Sequence, residues 1–304
     1  MADLILHHFD ISPFAEKVRL IFGLKNLNWR SVQIPLIMPK DDMTALTGGY
    51  RKTPVMQIGA EIYCDSNRIA RELERRFPQP TLFPDGNAGL AMAFSYWSNS
   101  DFFNPGAGLS MGVNTEIPEE VVTDRKNFFN FMDFDKLAEE VPHLYTQLLA
   151  HAELVEEQLA NGNEYLLGST PGWIDINAYF VIWMVRNNVS PVNELLSPYK
   201  NMPAWEQKIQ SIGHGNRTEM DANDAIALAR EIEPESGKGV DVSDPLALKE
   251  GDRVIVEPDD YGKDPVEGNL ITLNRTEVSI QREDERAGIV NVHFPRIGYR
   301  IFKS

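Results

Sequence analysis

The strongest constraint on the fold is the order in which two hydrophobic periods alternate over the first 85 residues. LILHHF reads as a short strand, and residues 13 to 25 place Val18, Leu20, Ile21 and Leu24 on one helix face. WRSVQIP returns to strand character, PVMQIG and EIYC form a hairpin pair, and SNRIARELERRF is a second amphipathic helix. This β-α-β…β-β-α order calls for a small sheet with helices packed on it, an α/β arrangement.

After LFPDGNAG, a cluster of turn formers, the strand signal stops. AMAFSYWSNSDFF, residues 136 to 160, INAYFVIWMVRN and PAWEQKIQSIG all suit the helices of an all-α bundle. In the last ninety residues, DANDAIALAREIE is a short helix with Asp221 as its N-cap and Asp224 at the positive end. ESGKGVDVSDP reads as a linker, and DRVIVEP, NLITLN, TEVSIQR and GIVNVHF are short strands spaced as in a small all-β, SH3-like barrel. The expected division is therefore 1–85, 86–213, a helix and linker at 214–240, and a β module at 241–304. About sixty residues make a small core, so this module is expected to lean on the helical region.

At 304 residues, 42% hydrophobic and 24% charged, the chain has material for several packed domains. No apolar run reaches the roughly 18 residues of a membrane helix, and MADLILHH lacks a basic flank and a small-residue cleavage site, so a cytoplasmic location is expected. The net charge of −16 is uneven: residues 1–85 carry 11 basic and 10 acidic side chains, 86–213 carry 6 and 16, and 214–304 carry 12 and 19. Such an acidic surface repels phosphate backbones and anionic lipid, which argues against nucleic acid and membrane as partners. The near-neutral first segment is the part suited to an anionic small molecule. Cys64, the single cysteine, excludes an intrachain disulfide and a CxxC pair and reads as a small core residue.

Three motifs in the first region carry chemistry. In DISPFAEKVR, Ser12 precedes Pro13 at a helix start, where a hydroxyl caps an orphan N–H or stabilises a ligand anion; both readings stand on this stretch alone. In YRKTPVMQI a proline opens a strand and suits a cis peptide bond in a tight turn. In YCDSNRIA, Asp65 and Ser66 stand at the start of the next helix, where caps bind anions as readily as backbone.

In this order and spacing, SPFAEKVR, TPV and the DS pair resemble the thioredoxin-like glutathione-binding domain of the cytosolic glutathione transferases, over about residues 3 to 85. The helical region resembles that family's second domain through YLLGSTPGWIDINAYF, with Asp175 at its buried acidic position. The family commonly has Glu where Asp65 stands and Ser or Thr where Gly172 stands. The last ninety residues lie outside its usual layout. The resemblance implies a serine-type site in which Ser12 hydrogen-bonds the glutathione sulfur. Thr53 and Val55, flanking a cis Pro54, would pair with the cysteinyl backbone, and Asp65 and Ser66 would hold the γ-glutamyl end. Lys52, and less directly Arg51, would meet the glycyl carboxylate, and Phe14 of SPF joins the binding residues. Glutathione is the implied co-substrate, a small hydrophobic electrophile the second partner, and a homodimer the assembly.

The residue types fit that chemistry. A free thiol titrates near pH 8.5, and a helix N-terminus plus a donated O–H favours the thiolate without contributing a base. A serine cannot form a mixed disulfide, which excludes dithiol exchange at this position. His7 and His8 are expected to be packed in one case and satisfied at the sheet edge in the other. The six histidines show no HExxH or other close ligand spacing, so no metal is expected. GHG at 213 to 215 is a helix-ending pattern. FFNPGAGLSMG (102–112) and FFNFMDF (128–134), read as segments between helices, are either a substrate-pocket wall or core and dimer contact. In VNVHFPRIGYR, His293, Arg296, Tyr299 and Arg300 suggest a ligand cluster or, more simply, the closing strand of a barrel docked on the bundle.

Three functions follow from this reading: glutathione thiolate attack on a small apolar electrophile, a glutathione-dependent isomerase or lyase reaction, or a non-catalytic scaffold of this fold that binds a protein partner.

Overall fold

The computed structural model describes residues 3–114 and 116–304. By packing, the chain divides into two compact units: residues through Val18 with Leu27–Glu72 and Asn216–Ser304, and Arg19–Asn26 with Leu73–Gly215.

The first unit is built on one sheet. Its first strands are β1 (Ile5–His8), β2 (Asn28–Gln33), β3 (Val55–Ile58) and β4 (Glu61–Cys64), with β1 parallel to β2 and antiparallel to β3. β3 and β4 form the expected hairpin, turned at Gly59 with φ +61°. Helices α1 (Pro13–Leu24) and α3 (Ser66–Arg76) start in this unit, and a short α2 (Asp41–Thr47), not expected from the pattern, stops at Gly48 in the left-handed region (φ +82°). The later elements are β5 (Asn216–Glu219), α11 (Ala222–Glu231), β6 (Gly239–Val240), β7 (Arg253–Pro258), β8 (Val266–Leu273), β9 (Glu277–Asp284), β10 (Gly288–Pro295) and β11 (Tyr299–Lys303). Asp221 caps α11 as expected, accepting from the Asn223 N–H.

The C-terminal strands correct one expectation. Where the helical region was expected to support them, they share a sheet and a core with the first region: β10 pairs in parallel with β4, and one sheet runs β11-β7-β8-β9-β10-β4-β3-β1-β2-β5. The physical reason lies in β4. All four of its residues are buried, and without β10 it would be an apolar edge with unpaired N–H and C=O groups. The smallness of the module is met the same way, because its core is shared: Ile62, Cys64 and Val55 pack in one cluster with Val266, Ile280, Val292 and Phe294. β5 extends the opposite side by pairing in parallel with β2.

The second unit is helical: α4 (Ala88–Trp97), α5 (Phe103–Gly112), α6 (Glu119–Phe128), α7 (Leu137–Leu159), α8 (Trp173–Asn188), α9 (Val192–Leu195) and α10 (Met202–Ser211), together with the ends of α1 and α3. FFNPGAGLSMG is not a connection; after a π turn over Ser98–Phe102 it forms α5. Its glycines serve close packing instead: a Cβ on Gly106 would lie 2.8 Å from Met184 Cε of α8, and one on Gly108 would lie 2.8 Å from Leu144 Cδ1 of α7.

α8 is the buried axis of this unit, and Asp175 organises its start. One carboxylate oxygen accepts from the Gly172 N–H at 3.0 Å, and the other from the Leu166 N–H at 2.8 Å and the Trp205 indole at 2.9 Å. Burial pushes its carboxyl pKa up, and these donors work in the opposite direction. Gly172 replaces a side-chain cap because there is no room for one: a Cβ there would stand 2.9 Å from Pro84 Cδ and 3.1 Å from the Leu82 carbonyl. Among the described residues, no helix is long and apolar enough to cross a membrane.

Candidate functional site

The site is assembled where three backbone segments of the first unit end: the β1–α1 turn, the α2–β3 loop and the β4–α3 turn. Ser12 is buried and caps α1, its Oγ accepting the Ala15 N–H at 3.2 Å. That bond uses an oxygen lone pair, so the O–H remains to be donated. Phe14, the second residue of α1, is half-buried, with the Lys17 ammonium 5.1 Å from its ring centre. Lys17 is fully buried, and burial lowers its pKa to about 7 against the opposing pull of Asp65.

The Thr53–Pro54 peptide is cis, at the entry to β3 where Val55 is buried in the sheet. Thr53 is half-buried, and its Oγ1 accepts from Lys40 Nζ at 3.4 Å. Asp65 takes a left-handed backbone (φ 75°), with Oδ1 accepting the Asn67 N–H at 2.7 Å across the start of α3. Burial raises its carboxyl pKa, while the Asn67 N–H, Lys52 and Lys17 hold it down. Ser66 opens α3 and is buried.

The C-terminal strands contribute to this site, which the sequence reading did not anticipate. Tyr299 donates to Asp65 Oδ2 at 3.3 Å and lies 2.9 Å, hydroxyl to hydroxyl, from Tyr50. Burial pushes both phenols well above their ordinary range, so they act as neutral hydrogen-bonding groups. From the β7–β8 loop, Asp260 Oδ1 sits 2.5 Å from Lys52 Nζ, which also lies 4.1 Å from the centre of the Tyr261 ring. Nothing short in range could have signalled these partners, which are some 208 and 234 residues away in the chain.

Other candidates separate. His7 and His8 are both buried, because β1 is an interior strand; neither is at a sheet edge. His7 lies 2.9 Å from Gln57, and burial lowers its pKa to about 4; His8 lies 3.1 Å from Ser31 Oγ. Cys64 is a buried core thiol whose pKa burial pushes up, an environment that disfavours a nucleophile. Gly213 and Gly215 follow α10 with φ of 65° and 68°, as a helix end requires. The tail cluster does not converge. Arg300 is exposed, Arg296 pairs with Asp244 at 3.6 Å, and His293 is buried on β10 with Nε2 2.6 Å from Glu61 and Nδ1 2.9 Å from Glu277. Among the described residues, no group of three or more His, Cys, Asp or Glu is arranged to hold a metal.

In the helical unit, residues from both aromatic stretches line one cavity of about 610 Å³, including Asn104, Pro105, Phe131 and Met132. Asp101, Glu140 and His151 give its wall a mixed polar character, while Phe102, Phe103 and Leu109 of the first stretch are buried.

A thioredoxin-like sheet with a serine-capped first helix, and a helical unit organised by a buried aspartate, are the two parts of a glutathione S-transferase fold. Residues 6–81 match the glutathione S-transferase N-terminal domain family and residues 121–212 the C-terminal domain family. A GST-like protein from Pseudomonas syringae is 36% identical over 100% of both chains, with a TM-score of 0.81. The chain belongs to the glutathione S-transferase family. Maleyl pyruvate isomerase, a bacterial Zeta-class member, shares the fold at 19% identity, with a TM-score of 0.51 over 69% of this chain and 96% of its own. The β-etherase LigF from Sphingobium sp. strain SYK-6 does so at 13% identity, with a TM-score of 0.53 over 68% and 95%. No curated protein matches the chain.

Proposed function

We propose that this protein binds glutathione in its first unit and activates the thiolate for attack on a small, largely apolar electrophile, with Ser12 as the catalytic residue. The observation that carries the reading is the dual capacity of Ser12: its oxygen accepts the α1 cap bond while its O–H is free to be given to an anion at the positive end of the helix. Phe14, Lys52, Thr53, Pro54, Val55, Asp65 and Ser66 are the proposed binding residues. Pro54 cis presents the Val55 backbone, and Asp65 at the start of α3 offers a carboxylate to an ammonium. Ile11, 63% exposed beside Ser12, provides apolar surface next to the sulfur position. A cytoplasmic homodimer is part of the same proposal.

Ser12→Ala tests it. The bound thiol, followed by ultraviolet difference absorbance, should titrate at higher pH and turnover should fall, with glutathione affinity little changed; Ser12→Thr should restore both. An unchanged thiol pKa and rate in Ser12→Ala would remove the assigned role.

Two observations favour a second reading. The groups proposed for the two ends of glutathione already hold partners within the chain, Asp65 with Tyr299 and Lys52 with Asp260. That arrangement suits a scaffold of this fold that binds a protein and performs no chemistry. Glutathione binding without turnover on a panel of electrophiles would favour it. An isomerase or lyase reaction uses the same thiolate, and the isomerase and etherase of this fold motivate including their substrate classes in the panel.

A further inference from the structure

The β7–β8 loop brings a carboxylate of the chain itself to the one lysine proposed to receive the ligand's glycyl carboxylate. Asp260 Oδ1 lies 2.5 Å from Lys52 Nζ; the Lys52 side chain is only 14% exposed, while that of Asp260 is 52% exposed. Tyr261, buried in the same loop, places its ring 4.1 Å from the ammonium, so Lys52 is held between a carboxylate and a π face. The lysine thus has both its charge and its apolar stem accommodated within the chain.

A ligand carboxylate seeking Lys52 meets one of two costs here. If it displaces Asp260, it exchanges one ion pair for another, which yields little net free energy. If Asp260 stays nearby, its charge repels the incoming one across a few ångströms in a partly desolvated setting. A ligand whose carboxyl is esterified or amidated meets neither cost, because it leaves the Lys52–Asp260 pair in place.

We infer that Asp260 is a specificity-determining residue: by occupying Lys52 from within the chain, it turns the glutathione site toward γ-glutamyl thiols whose C-terminal carboxyl is masked as an ester or amide. This rests on the proposed glutathione site. The γ-glutamyl end and the thiol are the recognised parts, and the glycyl end is tolerated when neutral.

Calorimetric titration of the full chain with glutathione and with its glycyl ethyl ester separates the possibilities. The wild-type protein should bind the ester at least as tightly as glutathione. Asp260→Asn, isosteric at a half-exposed position, should bind glutathione about tenfold tighter while its affinity for the ester changes less than twofold, and the added change Lys52→Met should abolish that gain. A wild-type preference for glutathione over the ester of tenfold or more would overturn the inference and leave the glutathione site standing. An unaltered ratio of the two affinities in Asp260→Asn would do the same. Failure of both proteins to bind either ligand would remove the glutathione reading and this inference with it.

Discussion

His293 is the residue whose removal tests most directly how the C-terminal strands are joined to the N-terminal sheet. Both ring nitrogens face carboxylates, Glu61 at 2.6 Å and Glu277 at 2.9 Å, so the ring in its protonated form donates to both. The two acids come from different strands: β4 is paired to β10 on one side, and β9 is paired to β10 on the other. Hydrogen bonds to charged groups contribute about 1.5–3 kcal/mol each. After His293→Leu, Glu61 keeps the Asn291 amide at 3.0 Å and the Glu235 N–H at 2.7 Å, and Glu277 keeps Lys238 at 2.7 Å and Arg68 at 3.6 Å. The retained partners place the loss near the low end of the range for a broken buried pair, about 3 kcal/mol.

The pH dependence follows from the two shifts. The carboxylates outweigh burial and raise the His293 pKa, so its stabilisation is complete below about 6.5 and lost as pH rises through the raised value. Glu277 is lowered to about 2 as His293, Arg68 and Lys238 outweigh its burial; its contribution is complete above about 4.5 and lost as pH falls through about 2. The seam is strongest between about pH 4.5 and 6.5. Since the chain forms two units, a single melting curve is a poor readout, and amide hydrogen exchange of peptides covering β4 and β10 is the suitable assay. At pH 6, His293→Leu should reduce protection there by about a hundredfold, and the gap to wild type should narrow as pH is raised from there through the elevated His293 value. Equal protection in the two proteins, or a gap independent of pH over this interval, would refute the reasoning.

Two further outcomes concern the helical unit. Asp175→Ala leaves the Leu166 and Gly172 N–H groups and the Trp205 indole without their acceptor, at a cost of about 3–5 kcal/mol, seen as lowered amide-exchange protection of peptides covering α8 and altered tryptophan emission. Gly172→Ser, an improvement by cap preference alone, should instead destabilise by about 1–3 kcal/mol because Pro84 and the Leu82 carbonyl crowd the Cβ position; raised protection of the α8 peptides would contradict this.

Much of the local geometry of the candidate site was legible because its pieces are short in range. A serine before a proline at a helix start, a proline opening a strand and an acidic residue at the next helix start are decided by backbone geometry within a few residues, and Ser12, Pro54 and Asp65 take those places. Lys17 was missed because a lysine on a helix reads as solvated until burial is known. α5 was misread because glycines and a proline signal a turn locally, whereas here the glycines admit Leu144 and Met184.

What the sequence by itself determined is the alternation of strands and helices, the change to helices after residue 86, the caps at Ser12 and Asp221, and the family. These depend on periodicity and on short-range hydrogen bonds. Only the tertiary structure decided that β10 lies beside β4, that Tyr299 and Asp260 stand at Asp65 and Lys52, and that His293 bridges two glutamates. The cause is the buried strand β4, whose unpaired side selects a partner by hydrogen bonding and shared apolar burial. That choice carries residues more than 200 positions away into the site.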